Sequence, residues 1–114
     1  MDRTDRDEDF RLGGFEELVL LATHSLHPEG YAVAIASLLE REGERAVALG
    51  AVYATLDRLE RKGFVTSRLG EGTPERGGRR KRLYGVTADG RRALEQTRAV
   101  RARLWSLRPQ LGTP

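Results

Sequence analysis

Cationic side chains that could bind phosphate are concentrated in one short run in the second half of the chain. The run between positions 76 and 82 contains Arg76, Arg79, Arg80, Lys81 and Arg82. Like charges repel one another, so a run this dense is favoured where a polyanion accompanies it. A hydrated loop tip is the alternative, since many charge runs are simply solvated. We favour the first interpretation, and expect Arg79, Arg80 and Arg82 to lie along or in a minor groove of DNA.

A helix predicted from about residue 49 to residue 62 offers a second surface for nucleic acid. Its apolar residues, spaced three and four apart, should face a core: Leu49, Val52, Leu56 and Leu59. Its opposite face carries small and cationic residues: Gly50, Ala51, Ala54, Arg58 and Arg61. Small side chains let a helix approach base edges and thymine methyl groups, whereas the arginines farther along suit the DNA backbone. The pattern predicts a helix that enters a major groove.

Two hydroxyl groups on the same helix extend this hypothesis. Tyr53 lies on the flank of the outward face, and we expect its hydroxyl and that of Thr55 to reach phosphates. Partial burial of Tyr53 against the preceding helix is an open alternative. Because the face offers few polar groups that could read bases, a substantial part of the sequence preference should come from DNA shape.

Two further helices are predicted upstream, and they would support the outward-facing helix. The first should begin at Gly14 and end near residues 25–27, because the residue before Pro28 is disfavoured in a helix. The second should span about residues 29–42, with Pro28 near its start and Gly43 as its stop. Three helices joined by short connections predict a helix-turn-helix arrangement.

A hairpin should follow the three helices. Short mixed apolar runs predict strands over residues 64–71 and 80–87. The intervening segment contains Pro74, Gly77 and Gly78, all of which favour turns. A hairpin directly after a groove-binding helix is the layout of a winged helix, and it would carry the cationic run at its tip.

A fourth helix is predicted after the hairpin, with the Thr87 hydroxyl as its cap and Asp89 in its first turn. Apolar and small residues repeat along it at alternating spacings of four and three, forming a seam of Ala93, Thr97, Val100, Leu104 and Leu107. Such a seam could meet a second copy of the chain or pack back onto the first helix. The periodicity leaves both arrangements open, as well as a mixture of the two.

Composition restricts the classes of protein that fit. A chain of 114 residues suits one domain, and 39% apolar against 32% charged residues leave much surface hydrated or committed to a charged partner. The absence of cysteine excludes disulfides, thiolate zinc sites and a thiol nucleophile. Apolar runs are too short for a membrane span, and the acidic N-terminus is unlike a signal peptide, so we expect a cytoplasmic protein without membrane contact.

No set of residues points to catalysis. There is no GxSxG sequence and no phosphate loop, and GGRRK lacks the spacing of a nucleotide-binding loop. His24 and His27 are near each other in sequence, but no third metal ligand accompanies them. We therefore expect no enzymatic activity, no metal and no cofactor.

The longest informative stretch resembles the PadR family of bacterial transcriptional regulators, in particular its short members without a separate C-terminal domain: LGAVYATLDRLERKGFVTSRLGEGTPERGGRRKRLYGVTADGRRAL. Two earlier segments, FEELVLLATHSL and EGYAVAIASLLE, extend the resemblance from Gly13 to about Trp105. The resemblance implies a homodimer built from the first and last helices, with Phe15 and Leu18 beside the seam. Such a dimer would bind a pseudo-palindromic operator and usually repress transcription. Tyr53 matches a tyrosine near the start of the family's recognition helix, and residues 79–82 match its wing.

Two positions depart from what similar sequences often show. Ala48 replaces a serine, so the recognition helix should lack a side-chain cap, a loss of about 1 kcal/mol. Ala54 replaces a threonine, which removes a hydroxyl that could contact phosphate or base. Both departures change particular contacts and leave the predicted fold intact.

The expected protein is mainly α-helical with a small β-hairpin, a winged helix-turn-helix followed by a C-terminal dimerisation helix. Its predicted parts are a disordered tail over residues 1–12, a DNA-binding domain over 13–87, the dimerisation helix over 88–108 and a tail over 109–114. The expected function is sequence-specific regulation of transcription, with double-stranded DNA and a second copy as partners. The alternatives are a protein-interaction module and an effector sensor, in which Trp105 would bind a small aromatic compound. Packing of Trp105 in the dimer interface or the core is the other interpretation of this residue.

Overall fold

The computed structural model describes residues 11–71 and 80–109 of the protein. These residues form four helices and two strands in the order α1 (Gly14–Ser25), α2 (Ala32–Gly43), α3 (Leu49–Arg61), β1 (Val65–Leu69), β2 (Arg82–Val86) and α4 (Ala88–Leu107). The predicted class, mainly α-helical with a small hairpin, is confirmed. The wing tip with Arg76 and Arg79, most of the predicted N-terminal tail and most of the predicted C-terminal tail lie outside the described residues.

The first three helices enclose the apolar core. Its fully buried members come from α1, α2, α3 and the start of the hairpin, and include Val19, Leu20, Ile35, Val52, Leu56, Leu59 and Phe64. Truncating one such leucine to alanine typically costs about 2–5 kcal/mol, because the cavity adds to the lost transfer free energy. The core therefore fixes which face of α3 remains outside.

Strand β2 of the hairpin packs against α1 and against the turn that precedes α2. Strands β1 and β2 are antiparallel, with Val65 opposite Val86 and Leu69 opposite Arg82. The Tyr84 amide donates to the Gly30 carbonyl at 2.8 Å. A Cβ atom on Gly30 would lie 2.9 Å from the Tyr84 carbonyl oxygen, so the close approach requires glycine.

Helix α4 continues directly from the hairpin. The Thr87 hydroxyl accepts a hydrogen bond from the Gly90 amide at 3.0 Å, which confirms the predicted cap. A Cβ atom on Gly90 would lie 2.3 Å from the Phe64 carbonyl oxygen, so glycine lets the first turn of α4 pack against the start of the hairpin. Ala93 is fully buried, whereas residues 98–107 are all exposed. The N-terminal half of α4 thus packs against the core, and its C-terminal half, residues 98–107, is exposed to solvent.

Several predicted boundaries differ from the structure. Helix α2 begins at Ala32 and not near residue 29, because residues 26–28 form a turn, closed by the Glu29 amide on the Leu26 carbonyl, and the backbone of Tyr31 is extended. Pro28 belongs to that turn, and its bond to His27 is cis. Leu49, the first residue of α3, is 40% exposed, so the buried stripe begins at Val52.

The end of α3 follows the prediction closely. Gly63 has a φ of 81°, a left-handed conformation that glycine adopts without strain, and the chain turns there into β1. Along the described ranges, no helix combines the length and apolar character needed to cross a membrane.

Candidate nucleic-acid interface

The start of α3 has no side-chain cap. Its N-terminal residue is preceded by Ala48, whose methyl group cannot accept a hydrogen bond, as the sequence predicted. The first backbone N–H groups of a helix carry partial positive charge, and anionic groups are favoured beside them. A phosphate at this position would accept hydrogen bonds from the backbone amides, as a capping serine hydroxyl does in other helices.

The exposed face of α3 carries small side chains at its N-terminal end and charged side chains farther along. Gly50, Ala51 and Ala54 are exposed, as predicted, and present almost no side-chain bulk. Tyr53 is 47% exposed beside them, so its ring is neither buried nor fully free. Arg61 is exposed on the same side, two turns beyond Ala54. The backbone of the first two turns can therefore approach a flat partner closely.

The predicted role of Thr55 is wrong. Its side chain is only 1% exposed, because it lies toward the core beside Leu56. Its hydroxyl accepts a hydrogen bond from the Arg58 Nη2 atom at 3.1 Å. The hydroxyl therefore positions an arginine and is not available to a phosphate.

Arg58 is held on the flank of α3 that faces α1. Its Nε atom lies 3.6 Å from the Glu16 Oε2 atom, and Lys62 donates to the same carboxylate at 2.8 Å. Burial of Glu16 alone would raise its pKa, but hydrogen bonds from Lys62 and the Gly13 amide and the charges of Lys62 and Arg58 outweigh burial, so the net pKa is lowered. The carboxylate stays ionised and keeps both cations beside α1.

Asp57 is an exposed residue of α3 that was not among the predicted site residues. It follows Ala54 by three positions and precedes Arg61 by four, so all three share the outward face. The signal was available, since the same spacing that selected Ala54 and Arg61 also selects Asp57. A carboxylate here repels phosphate, and it can accept hydrogen bonds from the exocyclic amino group of cytosine.

The described wing cations brace the base of the hairpin. Arg80 Nε donates to the Gly70 carbonyl at 2.8 Å, and Arg82 Nη1 donates to Ser67 Oγ at 3.0 Å. The Lys81 ammonium lies 4.0 Å from the centroid of the Tyr31 ring, a cation–π contact that ties the wing to α2. Arginine has five donors, so Arg80 and Arg82 keep further N–H groups for a phosphate. Arg79 lies outside the described residues.

The predicted dimer seam is shorter in the structure. Ala93 is fully buried inside the chain's own core, and Thr97 is partly buried with its hydroxyl on the Ala93 carbonyl at 2.9 Å, so Ala93 cannot meet a partner. The exposed apolar residues of α4 begin at Val100 and continue through Leu104, which is 62% exposed, to Leu107. The inner half of α4 therefore packs within the chain, and the outer half does not.

Further apolar residues are exposed outside the seam. Leu18 of α1 is exposed, and Phe15 is partly buried against the core at the edge of a groove of about 500 Å³. Trp105 is exposed beside the seam, and the Arg108 guanidinium lies 4.7 Å from its ring centroid. One face of the indole is therefore already covered by a cation of the same chain.

The arrangement of helices, hairpin and projecting helix matches a known family of regulators. The profile of the Transcriptional regulator PadR-like family matches residues 19–96. The chain belongs to the PadR-like family. Solved PadR-like structures share the fold: a PadR-like transcription factor from Bacteroides fragilis superposes with a TM-score of 0.70 at 25% identity, covering 92% of this chain and 94% of that one.

Two other PadR-like structures show how far the likeness extends. A PadR-like regulator from Bacillus cereus gives a TM-score of 0.67 at 20% identity, with 81% of this chain and 84% of that chain covered. Bacillus subtilis PadR in complex with operator DNA gives 0.61 at 20% identity, covering 88% of this chain but 51% of that one. Comparison with curated proteins finds no match. At such identities the structures establish the PadR-like fold and not individual contacts.

Proposed function

We propose that this PadR-like protein is a homodimeric DNA-binding repressor of transcription that recognises a pseudo-palindromic operator. One observation carries the proposal: the uncapped start of α3 exposes Gly50, Ala51 and Ala54, with cationic side chains one to three turns away. Small residues fit a helix against base edges, and cations around them bind phosphate. A regulator of this kind acts on chromosomal DNA, so a cytoplasmic location belongs to the same proposal.

In the proposed complex α3 enters the major groove by its N-terminal half. Gly50, Ala51 and Ala54 lie against base edges, and the Tyr53 hydroxyl reaches a phosphate. Arg61 contacts the backbone, while Arg58 contributes mainly through its charge because Glu16 and Thr55 hold its guanidinium. Arg79, Arg80, Lys81 and Arg82 are proposed to follow the adjacent minor groove.

Dimerisation is part of the proposed mechanism. Two copies of α3 must stand about 34 Å apart to enter successive major grooves on one side of the duplex. The exposed apolar residues of α4 and α1, among them Leu18, Val100 and Leu104, supply a surface for the second copy. Support for DNA as the partner comes from the Bacillus subtilis PadR structure, which contains operator DNA.

The decisive experiment is a gel shift on the DNA upstream of the gene. We expect a specific shifted band with the wild-type protein, and loss of that band with Ala54→Glu, because a carboxylate in the middle of the α3 face repels DNA. Ser37→Glu adds the same charge at an exposed position of α2 and is expected to keep the band. Equal DNA affinity of Ala54→Glu and the wild type would exclude α3 as the helix that contacts the bases.

A second candidate function is effector sensing. Trp105 is exposed at the seam, and two such rings in a dimer could line a site for a planar aromatic compound. The Arg108 contact leaves only one indole face for such a compound. Titration of aromatic compounds against tryptophan fluorescence should show a saturable change if the site exists, and a linear inner-filter response if it does not.

A further inference from the structure

Two neighbouring carboxylates in the first turn of α1 bind two different helices. Glu16 is bonded to Lys62 at the end of α3, 46 positions away. Glu17 is bonded to Arg101 in the outer half of α4, 84 positions away. Adjacent residues of a helix point about 100° apart, so one turn can serve two neighbours. The first turn of α1 therefore joins the proposed reading helix to the proposed dimerisation helix.

The attachment of α3 at this turn centres on a buried carboxylate. Glu16 is 8% exposed, and its carboxylate accepts from Lys62 Nζ at 2.8 and 3.0 Å and from the Gly13 amide at 2.8 Å. Lys62 also donates to the Arg11 carbonyl at 3.1 Å. Because every bond in the cluster has a charged partner or a backbone group, α3 has little freedom to rotate against α1.

The attachment of α4 is less buried but geometrically specific. Arg101 donates to Glu17 through both Nε and Nη2, with distances of 3.0, 3.1 and 2.6 Å. This two-nitrogen fork fixes direction as well as distance. Within the described residues, it is the hydrogen-bonded ion pair that ties the exposed half of α4, residues 98–107, to another element of the chain.

We propose that Glu17 and Arg101 are positioning residues that set the angle of α4 against the DNA-binding domain. Through that angle they set the separation of the two α3 helices in the dimer, and so the spacing of the operator half-sites. Glu16 completes the connection by locking α3 to the same turn. The inference rests on the proposed function, because it concerns the dimer that would bind DNA.

The length of α4 makes a small change of angle matter. From Ala93, which is fully buried, to Leu107 the helix extends about 21 Å, at roughly 1.5 Å per residue. A tilt of about 10° would move its tip by about 4 Å, close to the rise of one base step, about 3.4 Å. Loss of the fork should therefore alter the tolerated half-site spacing by about one base pair.

The first test measures the dimer without DNA. The chain has no cysteine, so Ala54→Cys provides one attachment point for a spin label on α3. Electron–electron double resonance should give one narrow distance between the two labels. Addition of Arg101→Gln should shift that distance by about 4 Å, or widen it by as much. An unchanged, equally narrow distance would overturn the proposal.

The second test measures operator spacing on duplexes selected from a random library with the wild-type protein. Lengthening or shortening the centre by one base pair should weaken wild-type binding about tenfold, a typical size for coupled contacts. Glu17→Gln and Arg101→Gln should each reduce that penalty to about threefold or less. A retained tenfold penalty would contradict the proposal, whatever happens to overall affinity.

Two controls separate positioning from general loss of charge or fold. Arg98→Gln removes an exposed cation from the same helix, whose ion pair among the described residues is with Glu95 of α4 at 4.0 Å, and should leave distance and spacing unchanged. The exchanged pair Glu17→Arg with Arg101→Glu should restore the spacing preference in part. If no duplex is selected by the wild type, the proposed function fails, while the label distance in the dimer still decides the positioning role.

Discussion

The outward face of α3 and the outer half of α4 are both exposed, yet their chemistry is opposite. The first two turns of α3 present glycine, alanine and a tyrosine, followed by Asp57 and Arg61. The outer half of α4 presents large apolar residues, among them Leu104 and Trp105. Large exposed apolar side chains favour contact with another protein surface. A helix with small side chains and nearby cations favours contact with a polyanion. The chain thus separates its two proposed partners onto two surfaces.

The largest expected effect follows from introducing a charge into the apolar surface of α4. Leu104→Asp puts a charge into the proposed dimer contact, so we expect dimer affinity to fall by about 100-fold or more, since burying an unpaired charge costs several kcal/mol. Operator binding should fall with it. Sedimentation velocity and a gel shift measure the two quantities.

A matched control exists on the opposite side of the same helix. Ala102→Asp adds the same charge at an exposed position that does not face the seam, and should leave the dimer intact. If Leu104→Asp sediments as the wild type does, the seam is not the dimer contact and the contrast between α3 and α4 loses its meaning.

The next effect removes charge from the DNA-facing side. Arg79→Ala together with Arg80→Ala should make the salt dependence of binding shallower by about 2 in the slope of log K against log salt, because each phosphate contact contributes about 0.9. Binding measured by fluorescence anisotropy across a salt series gives the slope. Arg41→Ala with Arg45→Ala removes equal charge from the end of α2 and the turn after it, and should change the slope less. An unaltered slope in the wing variant would remove the wing from the proposed interface.

A smaller effect tests the connection between the two surfaces. Glu16→Gln should lower the free energy of unfolding by about 2 kcal/mol near neutral pH, the usual worth of hydrogen bonds to a buried charged group. The folded pKa of Glu16 lies below its ordinary value of 4.5, so the contribution is complete above about pH 4.5 and is lost as the pH falls through the folded pKa.

Urea unfolding at several pH values measures this dependence. The gap between wild type and Glu16→Gln should narrow as the pH falls below about 4.5, while the exposed control Glu95→Gln should match the wild type throughout. A gap that stays constant down to pH 3 would show that the carboxylate charge is not what stabilises the contact.

The smallest expected effect concerns Asp57. Asp57→Asn removes a negative charge from the α3 face, so we expect affinity for non-cognate DNA to rise about threefold at low salt, in line with weak exposed charge effects. Selection from a random library should also show a weaker preference at one base position. Unchanged affinity and preference would place Asp57 outside the interface.

Local patterns in the sequence predicted the fold well where local chemistry decides it. The apolar spacing of α3, the glycine stop at Gly63 and the Thr87 cap each depend on residues within one or two turns. Their predictions are confirmed, and the distant bond that the Thr87 hydroxyl donates to the Gly63 carbonyl at 2.6 Å leaves the hydroxyl oxygen able to accept the capping bond. The predicted start of α2 is wrong because the Gly30 carbonyl accepts a hydrogen bond from the Tyr84 amide of β2, a contact between residues far apart in the sequence.

The site could be predicted only in part, for a related reason. The apolar spacing separated the two sides of α3 but did not show that Thr55 lies on the buried boundary or that Arg58 is shared with Glu16. Ala93 belongs to the predicted seam although it packs inside the chain, because periodicity cannot tell an internal contact from an external one. Contacts between α1 and α3 or α4 leave no local signature, so only the structure reveals the carboxylate pair.

The bond between the Tyr84 amide and the Gly30 carbonyl has a consequence for colloidal behaviour. A two-stranded ribbon has two open edges, and unpaired edge amides template the addition of further strands. The bond occupies an amide in the middle of the outer edge of β2, where an incoming strand would need a free donor. The turn before α2 therefore disfavours edge-to-edge aggregation through β2.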